Sequence, residues 1–171
     1  GEFLSARAGG AYFNPDLAAK AMAERDGLAL AEANARAWTL GFDLLNRSIE
    51  HNQDFSFETT LGGNSITQAQ LRAAASGLEL FIFYVGLDSP ERHIARVAAR
   101  VRRGGHPIPA EKIRERYPKS LANLIKLLAC ASEVRIYDNS DESEDVRPRA
   151  HLVLSMSRGR IVKPKPDQLV S

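Results

Sequence analysis

Three short stretches of the sequence carry side chains that can do chemistry together. "FSFETTLGG", residues 55–63, ends an apolar, β-prone alternation on Glu58, Thr59 and Thr60 before Gly62 and Gly63 close it. "NPD", residues 14–16, ends another such run on an amide and a carboxylate. A buried strand end does not readily hold a carboxylate unless a charged group meets it. Arg96, Arg100 and Arg103 recur at spacings of 4 and 3, which places them on one face of a helix. Such a face can clamp a transferring phosphoryl group, whose charge is spread over its equatorial oxygens. The Gly104-Gly105 pair that follows can hinge a lid. Each feature also has a plainer reading. Strand ends meet water and favour polar residues anyway, and a run of charge is most often a solvated face.

These side chains need elements to position them. Five β-prone runs alternate with helical stretches: residues 11–16, 54–61, 79–87, 133–138 and 151–157. Residues 17–51 are rich in Ala, Leu, Glu and Arg, which favour helix. Further helices are expected over 65–76, 90–103, 109–117 and 120–131. Ser89-Pro90-Glu91 is a strong helix start, with serine as cap and proline in first position. Alternating β and α elements predict an α/β fold with a mainly parallel sheet and helices on both faces. "FIFYVGL" fits a strand covered on both sides, being apolar without alternation. In such sheets ligands bind beyond the carboxyl ends of the strands. Those ends carry Asn14 and Asp16, Glu58 to Thr60, Asp88 and Ser89, and Asp138 to Ser140. Ser89 already has work as a cap, so the Asp88-Ser89 pair reads as structural. Trp38, Phe42 and Tyr12 read as core from their apolar neighbours.

The 171 residues suit a single domain, expected over residues 1–162 with a flexible tail at 163–171. The acidic stretch 138–149 reads as a surface loop. Hydrophobic residues at 44% and charged residues at 26% are ordinary for a globular protein. A formal charge of +2 is too small for bulk attraction to nucleic acid. No apolar stretch approaches the ~20 residues that span a bilayer, and the start lacks the pattern of a secretory signal. The single cysteine, Cys130, cannot form an internal disulfide and reads as a small core residue, which fits a cytoplasmic protein. The four histidines make no i, i+4 metal pair.

The order "NPD", "FSFETTL", "LDSPERHIARVAARVRRGGHPIP", "IRERYPKSLANL" and "YDNS" resembles the zeta-toxin-like family of P-loop kinases. The likeness runs from about residue 10 to about residue 160, and residues 96–124 carry its most specific part. It implies a P-loop nucleoside-triphosphate fold and transfer of the γ-phosphoryl group of ATP, with Mg2+, to a hydroxyl. Studied zeta toxins phosphorylate UDP-N-acetylglucosamine, so a nucleotide sugar is the implied acceptor, and an antitoxin protein an implied partner. The family's central first strand leads into the Walker A loop, Gly-x-x-x-x-Gly-Lys-Ser/Thr. No such motif occurs in the given residues. "GEFLSARAGG" looks like the end of the helix that would follow it, so a strand and phosphate loop are expected ahead of Gly1. Without that strand, the sheet would be split and its flanking strands would expose unpaired backbone.

By resemblance Asp16 is the base that takes the acceptor's proton, although it also suits a cap for a helix starting at Leu17. Glu58 matches the glutamate facing substrate and metal, its plainer role being a partner for a structural arginine. Asn14, Thr59 and Thr60 are candidate substrate contacts. Residues 92–124 form the lid-like segment, with Arg100 and Arg103 as catalytic clamps and Arg114 and Arg116 on the substrate side. His106 stands where better-known toxins carry arginine, and either binds phosphate or substrate or orders its turn. Arg96, Asp138 and Asn139 are candidate nucleotide contacts. The alternative to a kinase is a regulator that keeps the fold without catalysis.

Overall fold

The computed structural model describes residues 11–141 and 150–164. The "GEFLSARAGG" start, residues 142–149 of the acidic stretch and residues 165–171 of the expected tail lie outside them. The chain divides into two compact units, Gly1–Thr60 and Leu61–Ser171.

The first unit contains β1 (Ala11–Phe13), α1 (Pro15–Asp26), α2 (Leu30–Glu50) and β2 (Phe55–Phe57). Asn14 caps α1, Pro15 occupies its first turn, and Gly27 ends it in the left-handed region at φ 65°. That stop divides the helix-rich stretch 17–51 into two helices. Ala19 of α1 and Ala33 and Ala37 of α2 are buried against one another, with Met22 and Leu28 at the margin. Small residues at the crossing let the two helices approach closely. β1 and β2 pair in parallel, Tyr12 opposite Ser56 and Phe13 opposite Phe57. Because side chains alternate faces, Tyr12, Asn14, Ser56 and Glu58 fall on one side. Phe13 lies on the other, against α2. There a Cβ on Gly41 would stand 2.4 Å from the Phe13 ring. Gly41→Ala gains helix propensity of about 1 kcal/mol yet should lose about 1–3 kcal/mol net through overpacking. A urea midpoint raised by this substitution would show that the contact yields freely. Trp38 is 49% exposed and stacks on Phe42 at 5.2 Å. It is therefore a surface residue, contrary to its sequence reading as core.

The second unit contains α3 (Asn64–Ala75), β3 (Phe81–Gly86), α4 (Pro90–Arg102), α5 (Ala110–Leu128), β4 (Glu133–Asp138), β5 (His151–Ser157) and β6 (Arg160–Lys163). Its strands run in the order β3-β4-β5-β6. β3 and β4 are parallel, joined through α4 and α5, whereas β4–β5 and β5–β6 are antiparallel. The core gathers Leu61, Leu124 and Leu127 with Leu71, Leu80, Ile82, Tyr84 and Ile136. Cys130 packs at its margin, as a small core residue would.

Three features differ from the sequence reading. The stretches expected as two helices, 109–117 and 120–131, form the single helix α5, which runs through Pro118. Two of the four strand pairings are antiparallel, so the pairing is not mainly parallel. The antiparallel edge comes from β5, which returns against β4, and from β6, which "RGRIVK" did not announce. Arg158 and Gly159, at φ 47° and 75°, make a two-residue turn with both angles positive, and such a turn joins only antiparallel strands. β3 is also not covered on both faces. Ile82 and Tyr84 pack inward, while Phe81, Phe83 and Val85 are 55%, 41% and 57% exposed. The Arg135 guanidinium lies 5.6 Å from the Phe83 ring centre. Among the described residues no helix is long and apolar enough to cross a membrane.

Candidate functional site

Chemistry-bearing side chains gather at the carboxyl ends of the parallel pairs, one group in each unit. In the first unit Asn14 is the pivot. Its Oδ1 accepts from the backbone amides of Asp16 (2.9 Å) and Leu17 (3.1 Å), capping α1. Its Nδ2 donates to Glu58 Oε2 at 2.8 Å. The Tyr12 hydroxyl donates to the other carboxylate oxygen, Glu58 Oε1. The Glu58 amide extends the strand pairing by donating to Phe13 O at 3.1 Å. The bond to Glu58, then burial, pushes the Tyr12 phenol above its ordinary range.

This geometry decides two alternatives left open by the sequence. The cap of α1 is Asn14, and the helix starts at Pro15, not Leu17. Asp16 lies exposed in the first turn, and among the described residues its carboxylate holds no hydrogen bond or ion pair. Glu58 is held by a phenol and an amide, not by a structural arginine. Thr59 and Thr60 follow it, both exposed.

In the second unit, a cleft of about 300 Å³ lies beyond β3 and β4, beside α4. Arg96, Arg100, His93 and Asn139 line it with Val85 and Val97. Arg96 Nη2 donates to the Asn139 carbonyl at 2.6 Å, and the Asn139 amide donates to Gly86 O at 2.9 Å. Asn139 Oδ1 is buried and, among the described residues, has no hydrogen-bond partner. A buried acceptor left unmade is costly, so a donor belongs there. His93 meets the Tyr117 ring edge-on at 5.8 Å. Burial, then the nearby Arg96 charge, lowers its pKa and favours the neutral ring. Tyr117 donates to Leu87 O at 3.0 Å, and burial raises its phenol.

The other expected residues are distributed unevenly. Asp138 Oδ1 accepts from the amide of Ser140 (2.9 Å) and from its hydroxyl, so this carboxylate closes a turn. Ser140 Oγ in turn accepts from the Asp88 amide at 2.8 Å. Asp88 pairs with Arg92 (2.8 Å), which holds its carboxyl below the usual range, and Ser89 caps α4. The structural reading of that pair is correct. Arg100 reaches the His106 carbonyl at 3.4 Å. A Cβ on Gly105 would stand 2.6 Å from the Arg100 stem, so glycine alone allows the turn to close there. The backbone carbonyl of His106 thus takes part in closing the turn. Arg103 is the C-cap of α4, and its Nε turns back to Ala99 O at 3.4 Å. It is not among the residues that line the cleft with Arg96 and Arg100. Arg114 pairs with Glu91 at 3.3 Å, and the Arg116 stem lies over Gly62.

Sequence reasoning passed over Tyr12 and His93. The signal for Tyr12 was its place two residues before Asn14 on one strand face. For His93 it was the spacing of 3 and 7 to Arg96 and Arg100 on one helix. A divalent ion suits Glu58, since Mg2+ is commonly held by one or two carboxylates together with substrate phosphates and waters. Each Glu58 oxygen keeps acceptor capacity beyond its one bond.

The model of the Zeta toxin family matches residues 14–149. A protein of Haemophilus influenzae, named only as an uncharacterized protein, is 35% identical over 88 residues, covering 52% of this chain and 61% of the relative. The match thus takes in under two thirds of that relative's length. No solved structure matches the chain. With four fifths of its residues under the family model, including every site residue of both groups except Tyr12, the chain belongs to the Zeta toxin family.

Proposed function

We propose that this chain is part of a kinase that transfers the γ-phosphoryl group of ATP to a hydroxyl of a small molecule, a nucleotide sugar such as UDP-N-acetylglucosamine being the first choice. Family membership supports a P-loop kinase-like activity. The observation that carries the reading is Asp16, a strand-end carboxylate relieved of capping by Asn14 and left uncommitted. It accepts the proton of the acceptor hydroxyl as that oxygen bonds to the γ-phosphorus, and the bond to the β-phosphate bridging oxygen breaks to release ADP. Asn14, Thr59 and Thr60 orient the acceptor, with Arg114, Arg116 and His106 on the substrate side. Arg100 and Arg103 neutralise charge on the transferring group. Arg96, Asp138 and Asn139 border the nucleotide, where the bare Oδ1 of Asn139 suits an amine donor. Glu58 is the candidate holder of Mg2+, which when bound offsets charge on the phosphates.

A Walker A loop completes such a site, and we place it on a parallel strand contributed from outside the given residues. Among the described residues the outer edge of β3 is unpaired, which supports a further strand there, and its exposed Phe81, Phe83 and Val85 support a covering element over that face. We also propose a cytoplasmic location and, by family likeness, an antitoxin partner.

The test uses the whole protein encoded by the gene, γ-labelled ATP, Mg2+ and a panel of nucleotide sugars, with products identified by mass. A phosphorylated sugar nucleotide is the expected result. Absence of both product and ATP binding would overturn the reading in favour of a non-catalytic regulator.

A further inference from the structure

A glutamate side chain has three rotatable bonds, and a free one samples many positions for its carboxylate. Fixing such a chain costs up to about 2 kcal/mol of rotamer freedom, which a site must meet before a ligand arrives if it is to be preorganised. Glu58 is exposed, so burial does not fix it. Two donors do. The parallel register sets Tyr12 opposite Ser56, which brings Tyr12 and Asn14 to the same face as Glu58 at the end of its strand. The phenol takes Oε1 and the Asn14 amide takes Oε2. Asn14 is itself immobilised, because its Oδ1 holds two amides of the first turn of α1. Glu58 and the backbone of Asp16 therefore share one hydrogen-bonded frame.

We propose that Tyr12 is a positioning residue: with Asn14 it holds the Glu58 carboxylate in one orientation, leaving acceptor capacity on both oxygens for the ligand. The role of Glu58 toward a ligand rests on the kinase reading, while the phenol–carboxylate contact stands on geometry alone. A merely structural tyrosine would contribute through its ring, which Tyr12→Phe keeps.

The experiment measures the order of the Glu58 side chain by 13C NMR relaxation at neutral pH, in the wild type and in Tyr12→Phe. Order at the Glu58 side chain should fall toward that of a freely rotating glutamate when the phenol hydroxyl is removed. Unchanged order in Tyr12→Phe overturns the proposal. In parallel, Tyr12→Phe should lower kcat about tenfold, as loss of an orienting contact to a ligand-binding group commonly does, with KM for ATP unchanged. In the Glu58→Gln background the same change should cost nothing further. Equal losses in both backgrounds also overturn the proposal. If the wild type transfers no phosphoryl group to any acceptor, the kinase reading fails, and the relaxation measurement alone decides the role of Tyr12.

Discussion

Asp16→Asn should lower phosphoryl transfer by about 10²–10⁴-fold, the range a positioned general base contributes, with ATP affinity essentially unchanged. The residue invites so clean a test because its carboxylate has no other task. Asn14 caps α1, so Asp16→Asn removes neither the cap nor any side-chain bond described in the fold. The only structural cost is one negative charge in the first turn of the helix, where it is worth about 0.3–1 kcal/mol. Stability and rate should therefore separate. Asn14→Ala is the control with the opposite profile. It removes the cap, at about 0.5–2 kcal/mol, and one of the two donors to Glu58. It should melt earlier and retain part of its transfer rate. Single-turnover transfer alongside a thermal melt reads both quantities. Asp16→Asn running at the wild-type rate would remove Asp16 from the chemistry and make it only a favourable charge at a helix end.

The contrast between Asp16 and Tyr12 shows what a sequence can and cannot convey about such a site. "NPD" and "FSFETTL" announce polar groups where apolar alternation stops, and both strands are present but shorter, ending at Phe13 and Phe57, with Asp16 in the first turn of α1. Parallel pairing of β1 with β2 and of β3 with β4 likewise follows from strands separated by helices. Partners are another matter. Whether Glu58 meets an arginine or a phenol depends on register, which no single strand reveals, and Tyr12 looked like core for that reason. Of the three spaced arginines, Arg96 and Arg100 line the cleft beside α4, while Arg103 caps the helix end and turns back to Ala99. The β5–β6 turn was hidden because positive φ at Arg158, a non-glycine residue, has no compositional signature.

The motif stretch "RYPKSLANL" yields the second large effect, and it concerns stability. Asn123 is buried at 2% exposure on α5, surrounded by core leucines. Its Nδ2 donates to Leu61 O at 2.9 Å and to Gly63 O at 3.3 Å, while its Oδ1 accepts from Lys126 at 3.1 Å. Leu61 sits at φ 55°, a left-handed conformation that strains any residue with a side chain, yet its side chain is buried in the core. Strain of about 1–3 kcal/mol persists only where surroundings fix it, and the Asn123 side chain helps to pin the carbonyls on this turn. Asn123→Ala removes that donor from the Leu61 and Gly63 carbonyls, at about 1–3 kcal/mol, and opens a small void beside Leu124 and Leu127. A loss of about 2–4 kcal/mol is expected for the unit Leu61–Ser171, measured by urea unfolding and by hydrogen exchange of its core amides. Asn123→Asp separates hydrogen bonding from packing. It preserves the shape but places a carboxylate that cannot donate against two carbonyl oxygens, so it should destabilise at least as much as alanine. If Asn123→Asp matched the wild type, the turn would be held without the Asn123 amide donor. If both variants lose stability together, the polar residue in the middle of an apolar helix face is explained: it fixes the loop that immediately follows Glu58, Thr59 and Thr60.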